Sequence, residues 1–251
     1  MAAQLQRALE RQGLVFRLGV SARRAEATDE GIRVTLQSKG AAVEEDTDVD
    51  VVLVAVGRRA YTEGLGAREL GVAYDERGRI VVDERFATSV PGIYAIGDAI
   101  AGLMLAHKAE EEGIAAVELM AGLAGHVNYD AIPNVVYTWP ELASVGLSEE
   151  EAARRGLAVA VGTFPFMANG RARCLNETEG SVKVLADARS DRIVGFHILG
   201  PRASDLIAEM ALAVEFGASA EDVGRAVHAH PSLPEAVKEA ALAVGKRAIH
   251  I

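Results

Sequence analysis

The seven residues Val51-Val52-Leu53-Val54-Ala55-Val56-Gly57 constrain this chain more than any other stretch. An unbroken aliphatic, mostly β-branched run has no polar face, so it fits a strand buried on both sides in a sheet covered by helices. Such a strand needs parallel neighbours, reached through helical crossovers. What precedes it does not supply them. Residues 2–12 read as an amphipathic helix, with Leu5 and Leu9 about one turn apart and Gly13 as its stop. Residues 14–19, 21–28 and 31–37 read as short strands, the last two joined as a hairpin through Asp29-Glu30-Gly31. The only glycines two positions apart are Gly64 and Gly66, and position 69 is Glu69. The G-x-G-x-x-G turn that opens a dinucleotide-binding unit is therefore absent.

Charge and cysteine usage narrow the function. The 251 residues carry 26 Lys and Arg against 36 Asp and Glu, a formal charge of −10. With no basic run either, a nucleic acid is not the expected partner. The richest apolar stretches, 51–57 and 114–123, are too short to span a bilayer, which takes about 20 residues. The first residues lack a basic segment followed by an apolar one, so a cytoplasmic protein is expected. The single cysteine, Cys174, excludes an internal disulfide, a C-x-x-C pair and a cysteine-based zinc site within these residues.

Residues 58–103 are rich in turns, with short strands expected at 80–83 and 93–96. A helix is expected over 104–123, weakened at Gly113, and a linker places a boundary near 128. Beyond it, strands at 134–138, 157–164, 181–187 and 192–199 alternate with helices at 148–155, 203–216, 220–227 and 233–247. Ser148 and Glu151 have the spacing of a capping box for the first of these helices. The pattern is that of an α+β domain with an antiparallel sheet.

Two constellations carry chemistry. In the first, the apolar strand Ile93–Ile96 delivers Gly97 and Asp98 to its carboxyl end, the edge where open α/β sheets bind ligands. Gly97 permits close backbone approach, and Asp98 can accept hydrogen bonds from hydroxyl groups. A plain strand-end turn is the alternative. The helix after it starts Met104-Leu105-Ala106-His107-Lys108, and its N-terminus would favour anionic character; ordinary exposed helix residues are the alternative for His107 and Lys108. The second constellation is His228-Ala229-His230-Pro231-Ser232-Leu233-Pro234-Glu235. Metal binding by the two histidines and the glutamate lacks a further strong ligand nearby. Ser232 and Glu235 have capping-box spacing, with Pro234 suited to a first helical turn. His230 oriented by Glu235 suits acid–base chemistry, and this reading is compatible with the cap.

The string ATSVPGIYAIGD at 87–98 resembles the second flavin-binding fingerprint of the FAD-dependent disulfide oxidoreductases. HAHPSLPEAVKEA at 228–240 and LMLAHKAEEEG at 103–113 narrow the resemblance to the dihydrolipoamide dehydrogenases, the E3 components of 2-oxo acid dehydrogenase complexes. GRRAYTEGLG, YTWPELASVGLSEEEA, FPFMANGRARCLNETEG and GFHILGPRASDLI extend it over essentially the whole chain. The resemblance implies partial FAD- and NAD-binding, Rossmann-like α/β domains followed by an α+β dimerisation domain. Residues 1–60 would be the end of the NAD domain, 61–128 the C-terminal part of the FAD domain and 129–251 the interface domain.

The same resemblance implies the site residues. His230 is the general acid–base and Glu235 its partner; Asp98, Met104, Leu105, Ala106 and His107 touch FAD; Gly57 approaches NAD. By structure alone Gly57 is a turn glycine at a strand end. The implied partners are a second copy of the chain, with His230 acting on the other subunit's disulfide, and the lipoyl domain and core of a 2-oxo acid dehydrogenase complex. Apolar stripes at 203–216 and 233–247 suit an isologous interface or core packing within the chain. Three departures stand out. Ser232 and Pro234 replace the more usual Thr and Ser, and Trp139 replaces a usual histidine in YTxPE. The redox disulfide and both Gly-rich turns are also missing. The residues are thus expected to be the back part of a longer oxidoreductase, inactive and colourless by themselves. Glutathione- or mercuric-reductase specificity, or a non-catalytic dimerisation or docking module, are the alternatives.

Overall fold

The computed structural model describes residues 1–40 and 43–251, which divide into two compact units. One unit joins Met1–Val15 to Asn128–Ile251, and the other is Phe16–Val127.

The first unit is built on a five-stranded antiparallel sheet of order β4-β5-β8-β7-β6. Its strands are β4 (Asn134–Val136), β5 (Glu141–Gly146), β6 (Val159–Pro165), β7 (Ser181–Asp187) and β8 (Ile193–Gly200). Helix α5 (Ala203–Glu215) packs on β5 and β8, and α7 (Glu235–Val244) packs on β6 and β7. Alternation in β7 and β8 puts Val182, Val184, Phe196 and Ile198 into the core, where α5 adds Leu206, Ile207 and Met210 and α7 adds Val237 and Ala240. Burial of about 1.5–3 kcal/mol per large side chain makes this layer the main source of the unit's stability. Gly162 of β6 lets α7 approach: a Cβ there would stand 2.1 Å from the Ala240 carbonyl oxygen. Gly162→Ala is therefore expected to destabilise the unit by about 1–3 kcal/mol in a urea titration, because backbone would have to move.

Shorter helices complete the unit: α3 (Glu149–Arg154), α4 (Gly170–Leu175) and α6 (Ala220–Arg225). Ser148 caps α3 by accepting the Glu151 N–H, but the Glu151 carboxylate turns to Arg154 and Arg155 rather than back to the cap. The fully reciprocal box forms instead at Ser219 and Asp222, opening α6. Strand β5 and helix α4 were not expected. Ala143, Ser144 and Gly146 dilute the strand signal of β5, and α4 is a short polar turn held by Asn169, which accepts the Ala172 N–H at 2.9 Å.

Helix α1 (Ala2–Arg11) belongs to this unit as well. Leu9 is buried, Arg11 pairs with Glu179 at 2.6 Å, and the Gln12 side chain donates to the Trp139 carbonyl. The expectation grouped α1 with residues up to 60. A lone amphipathic helix needs an apolar surface for its buried stripe, and it finds one beside the antiparallel sheet.

The second unit contains an antiparallel sheet of order β1-β2-β3, from Val20–Thr28, Gly31–Ser38 and Glu44–Val49. The hairpin at Asp29-Glu30-Gly31 is present. The buried strand expected at 48–57 is not: β3 ends at Val49, and Val51, Leu53, Val54 and Val56 are 74–92% exposed. Among the described residues no strand pairs with this run, so it has nothing to be buried between. Residues 14–19 likewise form no strand. A second small core gathers Val72, Ile80, Phe86, Ala95 and Ile100 against Ala115 and Ala116 of helix α2 (Ala106–Met120). The strands expected at 80–83 and 93–96 reduce to single bridges, such as Ala87 with Tyr94. Helix α2 runs unbroken through Gly113, where a Cβ would meet Ile96 Cδ1 at 3.3 Å. The glycine serves close packing rather than weakening the helix.

Candidate functional site

In the first unit, Pro234 turns the chain into α7 and places Glu235 in its first turn. Glu235 uses both oxygens. Oε2 accepts the Ser232 N–H at 2.8 Å, and Oε1 lies 2.8 Å from His230 Nδ1. The Ser232 carbonyl accepts from Asn169 Nδ2 at 3.0 Å, tying the loop to the start of α4. Only half of the expected capping box is present: Ser232 Oγ is buried and makes no hydrogen bond. The His230 ring is 78% exposed. A carboxylate on Nδ1 makes that nitrogen the donor, which leaves Nε2 with its lone pair ready for a proton.

The Glu235 carboxyl lies below its ordinary value. Burial pushes it up, but the Ser232 N–H and the His230 ring outweigh that push by bonding the ionised form. Its contribution to stability is consequently present above the ordinary carboxyl value and is lost as pH falls through the lowered one. Unfolding free energies of the parent chain and Glu235→Gln should differ most near neutral pH and converge as the solution is acidified.

His228 has separate partners. Its side chain is 6% exposed, with Nε2 2.9 Å from Glu209 Oε1 and Nδ1 3.0 Å from the Ala226 carbonyl oxygen. The two histidines therefore share no ligand. Among the described residues no group of three His, Cys, Asp or Glu side chains is arranged to hold a metal ion.

In the second unit the apolar stretch ending at Ile96 gives way to a tight turn, Gly97–Ala99. Gly97 has φ +67°, and a Cβ there would lie 3.0 Å from Ala109 Cβ. Its N–H donates to Glu112 Oε2 at 2.7 Å. Lys108 Nζ pairs with Glu112 Oε1 at 2.8 Å and donates to the carbonyls of Gly97 at 3.3 Å and Ala101 at 3.4 Å. Both side chains are fully buried. Lys108 thus faces inward, and Glu112 is a site residue that the sequence reading passed over. The four-residue spacing of Lys108 and Glu112 was readable; their burial was not.

Asp98 is partly exposed, with Arg58 Nη1 3.6 Å from its carboxylate. Met104 and Leu105 are half-buried, Ala106 and His107 are exposed, and α2 starts after Leu105 with no side-chain cap. Gly97 packed closely on Ala109, the Asp98 carboxylate and the uncapped N-terminus of α2 are the groups that would hold the polyol and ring end of a flavin. No Gly-rich turn fits its pyrophosphate. Gly57 has φ +101° and nothing within 4 Å of where a Cβ would be.

Residues 1–113 match the family model described as pyridine nucleotide-disulphide oxidoreductase, and residues 132–241 match that family's dimerisation domain. The chain belongs to this family. A dihydrolipoamide dehydrogenase from Chaetomium thermophilum is 48% identical over 250 residues, covering 100% of this chain and 50% of its own length. The mitochondrial dihydrolipoyl dehydrogenase of Pisum sativum is 48% identical over 248 residues, covering 99% and 50%. LpdA from Mycobacterium tuberculosis has a similar structure, with a TM-score of 0.86 at 25% identity, covering 94% of this chain and 51% of that one. The chain spans about half the length of the curated relatives it matches. The family's dihydrolipoyl dehydrogenases use FAD and NAD(H), and no described helix is long and apolar enough to cross a membrane.

Proposed function

We propose that this chain carries the acid–base and flavin-facing parts of a dihydrolipoyl dehydrogenase. The observation that supports it most directly is the 2.8 Å contact of His230 Nδ1 with Glu235, which leaves Nε2 to take a proton. In this reading His230 accepts the proton of a dihydrolipoamide thiol as the thiolate attacks a disulfide. Glu235 holds the ring and stabilises its cation. Asp98 binds hydroxyls of the flavin side chain, and Met104, Leu105, Ala106 and His107 face the ring system. FAD, when bound, supplies the route for electrons from the reduced disulfide to NAD⁺. Gly57 is assigned to the NAD side on resemblance alone, as is the division at 1–60, 61–128 and 129–251.

The assembly is a homodimer in which His230 serves the other subunit's disulfide, and the substrate arrives on the lipoyl domain of a 2-oxo acid dehydrogenase complex. The matched dimerisation domain supports the first point. A cytoplasmic location is the proposal, whereas the pea relative is named mitochondrial; cell fractionation decides. The function is tested by dihydrolipoamide-dependent NAD⁺ reduction with the complete gene product, which should be active. A complete product that binds FAD yet turns over no dihydrolipoamide overturns the reading.

A further inference from the structure

In the loop that presents His230, the side chain of His228 turns inward. From 225 to 230 every residue is exposed except His228, and Val227 is 96% exposed. His228 makes two contacts, and both partners can only accept: the Ala226 carbonyl oxygen at Nδ1 and the Glu209 carboxylate of α5 at Nε2. A neutral imidazole has one N–H and can satisfy one of them. An imidazolium has two and satisfies both. With the side chain 6% exposed, water is poorly placed to replace the missing bond.

We propose that His228 is a positioning residue, an imidazolium clasp whose two N–H groups tie the Ala226 end of the loop to α5 and so hold His230 in register with Glu235. The charged groups facing the ring are Glu209 from α5 and Lys238 from α7, whose Nζ also donates to the Ala226 carbonyl at 3.0 Å. The Glu209 bond raises the ring's proton affinity, while burial and the Lys238 charge lower it, and the net direction is upward. The clasp is complete below the ordinary histidine value and opens as pH rises through the raised one. It rests on the assignment of His230 as the acid–base group, since positioning matters for function only if His230 handles the proton.

The test is ¹⁵N NMR of the histidine-labelled 251-residue chain, which contains six histidines. At about pH 6, below the ordinary histidine value, both His228 nitrogens should show protonated shifts, and the His230 Nδ1–H should exchange faster as His228 titrates. Glu209→Gln keeps an oxygen acceptor without the charge. It should lower the His228 midpoint, because the bond to the Glu209 carboxylate is the largest cause of its rise, and speed His230 Nδ1–H exchange about tenfold. His228 with one bare nitrogen at about pH 6.5, or a His230 signal indifferent to the His228 titration, overturns the clasp. The pH titration of the unsubstituted chain stands if Glu209→Gln does not fold. Failure here leaves the acid–base assignment intact, because that is tested by turnover of His230→Gln in the complete protein.

Discussion

His230→Gln in the complete protein is expected to lower dihydrolipoamide turnover by about two to four orders of magnitude, the usual worth of a positioned general base. Gln offers no group that takes a proton near neutral pH, while its size and polarity keep an exposed position undisturbed. Folding should therefore be unaffected: the ring is 78% exposed and its main contact is the Glu235 carboxylate. Glu235→Gln should cost less. Its amide oxygen can still accept from Nδ1 and orient the ring, and only the charge that stabilises the imidazolium is lost. Steady-state kinetics with a circular-dichroism check of folding read both. Turnover of His230→Gln within about threefold of the parent would end the assignment.

Lys108→Met is expected to destabilise the Phe16–Val127 unit by about 3–5 kcal/mol. The ammonium is fully buried and bonds Glu112 and two backbone carbonyls; removing it leaves the Glu112 carboxylate uncompensated in the interior. The double variant Lys108→Met with Glu112→Leu removes the stranded charge and should recover a large part of the loss. It leaves the Gly97 N–H without its acceptor, so recovery is incomplete. Urea titrations of the three proteins decide. A single variant as stable as the parent would show that the pair is hydrated in solution.

Much of the antiparallel unit was legible because its signals are local. Strands form at 181–187 and 193–200, where 181–187 and 192–199 were expected, and the helices α5 and α7 show apolar stripes. The His230–Glu235 contact was legible too, since five residues around a Pro-Ser-Leu-Pro turn bring the two side chains together. What escaped depended on distant partners. Strand β5 exists through its pairing with β8, about fifty to sixty residues away. The burial of Lys108 was not legible because no local pattern reports that the turn beginning at Gly97 will cover it. The run 51–57 misled in the opposite sense. Its pattern announced burial, but burial needs neighbours that the described residues do not provide.

That same run has a colloidal consequence. Seven consecutive residues without charge or proline, rich in β-branched side chains and open to solvent, are a template onto which another copy's segment can add in cross-β fashion. Asp50 stands before the run and Arg58 and Arg59 after it, so in-register stacking would pile like charges on one another at both ends. These flanking charges act as gatekeepers.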